Sequence, residues 1–272
     1  MSVQDLGSLD GQVLLFGGPY SNLAATRALL KKAQDLGAAA DHMICTGDTV
    51  AYCADAAETV TAIRGAGCPV VAGNCEKQLA SNAMDCGCGF EAGSTCDLLS
   101  AGWYAVADKT IGGDDRAWMK GLPDIVTFRH HGRRAAVIHG GVTDISRFLW
   151  QVSPEAAFVE EIGCLRDQVG QVDMVVAGHC GIAFQRRIGS VDWINAGAIG
   201  LPPNDGKPQT RYALLEAGRA EIRNLSYDHE AAATQMETCG LTQGYHNALR
   251  TGYWPSEEVL PLALRRAAVA SG

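Results

Sequence analysis

No stretch of this chain approaches the roughly 18 consecutive apolar residues of a membrane-spanning helix. The first residues, Met1 to Gly11, are polar and carry Asp5 and Asp10, so they do not read as a signal peptide. These two absences predict a cytoplasmic protein with no membrane partner. Basic charge is also scarce: 22 Lys and Arg stand against 30 Asp and Glu, a net charge of -8. Such a chain lacks the electrostatic means to hold nucleic acid. Its one basic cluster, Arg129 to Arg134, reads as the polar tip of a hairpin. No Gly-Lys-Ser/Thr follows Gly17-Gly18, which excludes a P-loop. A Gly-rich turn ahead of a helix N-terminus can still bind an anion there. Cys86, Cys88 and Cys96 have no second Cys pair at zinc-finger spacing. The ten Cys are expected to be free thiols, as a cytoplasmic location favours. There is no internal repeat and no low-complexity linker.

What is present is enough for one sizeable core: 272 residues, 47% of them hydrophobic. Val13 to Phe16 reads as a strand and Asn22 as the N-cap of a helix that stops at Gly37. Met43 to Thr46, a helix from Asp55 to about Gly67, and Val70 to Ala72 continue the alternation. Strand and helix in turn predict a parallel or mixed sheet with crossover helices. Residues 77–124 change character and read as an insertion of loops and short helices. Ile125 to Phe128 and Ala135 to Ile138 flank the basic tip, and Pro154 opens a helix running to Val169. Short strands follow at Met174 to Ala177, Phe184 to Ile188, Asp192 to Asn195, Arg211 to Glu216 and Ala220 to Leu225. From His229 the tail reads as mostly helical, with His229 and His246 solvated. The expectation is one α/β domain over 1–272, with two sheets or one split sheet and helices outside.

Four strand-like runs end beside Gly on a side chain that can ligate a metal. They are Asp48 after Gly47, Asn74 after Gly73, His139 before Gly140, and His179 after Gly178. Carboxylate, amide oxygen and imidazole are the ligand types of hard and borderline divalent ions. Sites in α/β folds form at the carboxyl ends of strands. Any one of these residues alone is ordinary; four in the same setting point to a metal or phosphate site.

This pattern resembles the calcineurin-like metallophosphoesterase superfamily, in particular its small bacterial phosphodiesterase branch, over most of the chain to about Pro255. The family order is Asp-x-His, Gly-Asp, Gly-Asn-His-Asp/Glu, His-Gly and Gly-His-x-His. Gly47-Asp48, Gly73-Asn74, His139-Gly140 and Gly178-His179 match it, and Ile194-Asn195-Ala196-Gly197 is similar to its Asn-Pro-Gly strand end. The resemblance implies a β-sandwich of mixed sheets flanked by helices.

The departures fall in one place. The family's first Asp lies at Gly18, its first His at Tyr20, the second His of the last motif at Gly181, and the His of the Gly-Asn-His motif at Cys75. Relatives hold two metals bridged by the Asp of the Gly-Asp motif. Here the resemblance implies one: Asp48, Asn74, His139 and His179 hold manganese, iron, zinc or nickel, and the other site is gone. The implied activity is hydrolysis of a small phosphorylated substrate by a metal-bound hydroxide, with Cys75 or Tyr20 assisting and Gly18 and Asn74 touching the phosphate. An inactive module that binds a phosphorylated ligand or a single ion is the alternative. A thiol enzyme using Cys75 and Cys180 is a third reading. Nothing in the sequence sets the oligomeric state.

Overall fold

The computed structural model describes residues 1–266. Ten strands make two sheets. Strands β1 (Val3–Ser8), β4 (Ile125–His130), β5 (Arg133–Val137), β6 (Met174–Ala177), β8 (Val191–Asn195) and β7 (Phe184–Ile188) lie in that order in the larger sheet. Strands β10 (Arg219–Leu225), β9 (Thr210–Glu216), β2 (Val13–Phe16) and β3 (Met43–Cys45) form the smaller one. Both are mixed: β2 and β3, and β5, β6 and β8, run parallel, while β4–β5, β7–β8 and β9–β10 are antiparallel.

Strands β2, β3 and β6 are apolar throughout because both of their faces are buried. Alternation along β2 decides the layers. Val13 and Leu15 point between the sheets, onto Val126, Phe128, Val137, Val176 and Ile194. Leu14 and Phe16 point outward, onto α1 (Leu23–Asp35) and α2 (Ala56–Ala66) through Leu29 and Ile63. On the far side, α6 (Glu155–Val169) lays Phe158, Ile162 and Leu165 on Val175 and Trp193. Each fully buried Val, Leu, Ile or Phe contributes roughly 1.5–3 kcal/mol. The result is helix, sheet, sheet, helix, as the resemblance implied.

A fourth cluster caps the site end. It contains α3 (Asn74–Ala80), α4 (Thr95–Thr110) and α5 (Gly113–Lys120) from the 77–124 segment, and α7 (His229–Thr238) and α8 (Tyr245–Thr251) from the tail. Leu79, Trp103, Met119, Met236 and Leu249 pack together there around Tyr20 and Cys75.

Several expectations are corrected. The polar N-terminus, for which no strand was expected, pairs through Val3–Ser8 in parallel with β4 as an exposed edge. Val70 to Ala72 is not a full strand; a single bridge from Val70 to Cys45 holds it before α3 begins at Asn74. Cys86 and Cys88 are disulfide-bonded, with Gly87 at φ +58° turning the chain between them, and the other Cys are free. His246 is buried at 8% exposure beneath α8's partners rather than solvated. Residues 267–272, the end of the tail expected to be helical, lie outside the described residues. Among the described residues no helix is long and apolar enough to cross a membrane.

Candidate metal centre

The ends of β3, β5 and β6 and the start of α3 meet at one point. His139 is its centre. Its Nδ1 donates to the Thr46 carbonyl at 2.6 Å. A carbonyl only accepts, so Nδ1 carries a proton, and in the neutral ring that ligates a metal the lone pair is on Nε2. Around that Nε2 stand Asn74 Oδ1 at 3.0 Å, His179 Nδ1 at 3.1 Å and Asp48 Oδ2 at 3.3 Å. Asp48, Asn74 and His139 are buried, and Asp48, His139 and His179 have the composition of a metal-binding cluster.

Four lone-pair donors facing one another repel unless a cation lies among them. Donors about 2.1 Å from a common centre stand roughly 3.0 Å apart at right angles and about 3.4 Å apart in a tetrahedron. The three distances to His139 Nε2 fall on that scale. The charge fits as well: among the described residues the ion-pair partner of Asp48 is His139, and no Lys or Arg is paired with it. Burial raises the Asp48 carboxyl, but the His139 and His179 rings and the Cys75 amide outweigh this and hold it low. His139 is pulled down by burial and raised above its ordinary value by Asp48. Burial and the neighbouring His139 push His179 down to about 3, so that ring is neutral and its nitrogen is free to ligate. The residues present therefore fit a divalent ion.

The backbone is bent to make this set. Asp48 and His179 sit at φ +56° and +60°, a left-handed conformation that costs a non-Gly residue of order 1–3 kcal/mol. Glu76 is what holds Asp48 there. It is fully buried, and its Oε2 accepts from Asp48 N at 2.9 Å and Gly73 N at 2.8 Å. Its Oε1 accepts from Thr49 N at 2.7 Å and Thr49 Oγ1 at 2.6 Å. Burial and the Asp48 charge raise the Glu76 carboxyl, and the Thr49 bonds draw it back. Gly73 must lack a side chain because a Cβ there would strike Asp48 Oδ1. Asn74 is oriented by donating through Nδ2 to the Cys86 carbonyl at 2.8 Å, which turns Oδ1 to the ligand set. Glu76 was missed in the sequence, although its place three residues after the N-cap Gly73 is a helix-start signal.

The other expected site residues fare differently. Tyr20, at φ +51° and 4% exposed, folds its ring back over Gly18. A Cβ on Gly18 would lie 2.5 Å from the Tyr20 ring, and one on Gly181 3.6 Å from the Tyr20 hydroxyl. The phenol thus spans the positions where the resemblance puts the other metal's ligands. Gly18 is not exposed to a phosphate: its N–H donates to the Gly47 carbonyl at 3.1 Å and the Tyr20 ring covers it. The Asn74 amide is likewise committed to Cys86 and has no free N–H aimed at the ligand set. Cys75 packs at 1% exposure, where burial and the Asp48 and Glu76 charges raise its thiol far above the ordinary range. Cys180 turns away, accepting from Asn195 Nδ2 at 3.2 Å, and burial pushes it up to about 12. Burial disfavours the thiolate at both positions, which counts against an activated nucleophile in the thiol-enzyme reading.

The profile of the calcineurin-like phosphoesterase superfamily domain matches residues 20–219. The chain belongs to that superfamily. Membership makes its class a hydrolase of the metal-dependent phosphoesterase type. The superfamily fold recurs in a hypothetical protein from Pyrococcus horikoshii OT3, 14% identical, with a TM-score of 0.72 over 91% of this chain and 99% of that one. It recurs in a metallophosphoesterase from Sphaerobacter thermophilus, 19% identical, with a TM-score of 0.68 over 90% of this chain and 100% of that one. No curated protein matches the chain. The superfamily match begins at Tyr20, past Gly18, where the first metal motif has lost its Asp.

Proposed function

We propose that the protein hydrolyses a phosphate ester at a mononuclear centre held by Asp48, Asn74, His139 and His179. The observation that carries this reading is the convergence of four lone-pair donors beside a space filled by the Tyr20 ring. A bound divalent ion supplies a Lewis acid for the phosphoryl oxygen and lowers the pKa of a bound water toward roughly 7. Manganese, iron, zinc and nickel all suit this oxygen and imidazole set.

The chain's own part is positioning. The Thr46 carbonyl fixes the His139 tautomer, Glu76 fixes the Asp48 loop, and the Cys86 carbonyl turns Asn74 inward. Burial raises both the Tyr20 phenol and the Cys75 thiol well above neutrality, which makes each a poor general acid. We therefore assign Cys75 to packing and Tyr20 to filling the lost metal position. Residues 77–124 act in this reading as an insertion within one domain that covers the site.

The test is metal content by emission spectroscopy together with hydrolysis of bis(p-nitrophenyl) phosphate in manganese. We expect about one equivalent of metal per chain. His179→Ala should lower turnover by ~100-fold or more, since losing even an outer partner of a ligand costs ~10–100-fold. Metal binding without turnover on mono- or diesters would leave an inactive binding module instead. Cys75→Ser should keep turnover within ~3-fold while costing about 1–2 kcal/mol for the buried hydroxyl. A 100-fold loss with metal retained would give the sulfur a chemical role after all.

A further inference from the structure

Beside His179 the site continues into a cleft whose walls are aromatic: Tyr20, Tyr52, Phe90, Phe148, Tyr245 and Trp254. Phe148 tilts over the His179 ring with centroids 4.3 Å apart and stacks on Trp150 at 5.4 Å. Tyr52 braces the opposite wall, against Tyr20 at 4.8 Å and Tyr245 at 4.5 Å. None of the residues lining this cleft is Lys, Arg, Asp or Glu.

A second hollow lies beside it, about 240 Å³ in volume, and shares Phe90, Cys96, Phe148 and Val259 with the first. Its rim carries Glu91 and Glu258. Phe90 lines both hollows. It sits half-buried in the loop after α3, where Gly87 and Gly89 take φ +58° and +72°. The inner cleft alone encloses about 30 Å³, too little for a six-membered ring. A ring therefore needs space from both hollows, and the half-buried Phe90 is among the residues that line both.

We propose that this cleft receives a flat, uncharged aromatic group attached to the substrate through a single phosphate. The proposal rests on the phosphoesterase reading and names its substrate class. A phosphate at the metal centre places its ester group against His179 and Phe148. Aromatic walls reward a ring by apolar burial and by stacked or edge contacts. A further phosphate would meet no cation in the cleft and two carboxylates at its mouth, and an unpaired buried charge is costly. Polyphosphate esters are therefore excluded, and Phe90 moves when the aryl ester enters.

The experiment is titration calorimetry of the manganese-loaded protein with phenylphosphonate and with methylphosphonate, which share one phosphonate and differ in the ring. Phenylphosphonate should bind at least ~10-fold more tightly. Val259→Phe, which adds bulk at a residue lining both hollows, should abolish that preference while leaving metal content and methylphosphonate binding unchanged. Equal affinity of the two ligands, or a preference that survives Val259→Phe, overturns the aromatic cleft alone. If neither phosphonate binds the metal-loaded protein, the phosphoesterase reading falls, and this inference with it.

Discussion

Glu76→Ala is expected to remove the metal and to destabilise the protein by about 4 kcal/mol. The side chain is fully buried and accepts from three backbone N–H groups and one hydroxyl. A buried donor left without a partner costs about 1–3 kcal/mol. Thr49 Oγ1 can rotate to another acceptor, but the amides of Asp48, Thr49 and Gly73 cannot. One term opposes the loss: the Asp48 charge repels Glu76, as the raised Glu76 carboxyl indicates, and that repulsion disappears. The net remains large against a total stability of roughly 5–15 kcal/mol. A chain of this size loses roughly 2–4 °C of melting temperature per kcal/mol. The functional effect follows from the same bonds. Without Glu76 only the bonds from Tyr20 N and Cys75 N remain on Asp48, too few to hold its left-handed conformation, and its carboxylate leaves the ligand set. Thermal melts with and without manganese read both effects. A protein that melts within ~2 °C of the parent and still shifts upward with manganese would show that Glu76 is not the clamp.

The contrast between Glu76 and the four ligands shows what was legible. Asp48, Asn74, His139 and His179 were readable because each ends an apolar run beside Gly, and strand ends in such folds gather at one edge. The fully apolar strands β2 and β6, and the Ala135 to Val137 end of β5, were readable for a related reason: burial on both faces leaves no polar residue there. Strand β1 was not, because an exposed edge strand holding only Val3 and Leu6 as apolar residues carries no buried-face pattern. Val70 and Val71 read as a strand because their side chains are buried, Val71 between the sheets and Val70 on the α1–α2 side, but among the described residues a single bridge to Cys45 is their only pairing. The fate of Tyr20 was the least legible. Its identity signals a lost ligand, but that its ring turns back over Gly18 depends on φ +51° and on Tyr52, neither of which a local pattern records.

That placement yields the second large expectation. Gly18→Asp by itself should damage the protein, and Gly18→Asp combined with Tyr20→His and Gly181→His should bind a second ion. A Cβ at position 18 would stand 2.5 Å from the Tyr20 ring and 2.8 Å from the Ala198 side chain. The Tyr52 ring packs against it at right angles with centroids 4.8 Å apart, which blocks its retreat on that side. Overpacking of this kind costs about 1–3 kcal/mol, and the φ of +47° at position 18 adds about 1 kcal/mol for a side chain. Tyr20→His shortens the aromatic side chain and removes the overlap. Asp and His are also among the residues that best tolerate left-handed conformations. At position 181 a Cβ meets nothing nearer than the Tyr20 hydroxyl at 3.6 Å, which the same replacement takes away. The three changes thus relieve one another, and the new carboxylate and two imidazoles stand beside Asp48. Metal content should rise from about one to about two equivalents per chain in the triple variant, with a melting temperature above that of Gly18→Asp alone. If the triple variant folds and still holds about one ion, the loss of the other site lies elsewhere than in the Tyr20 ring.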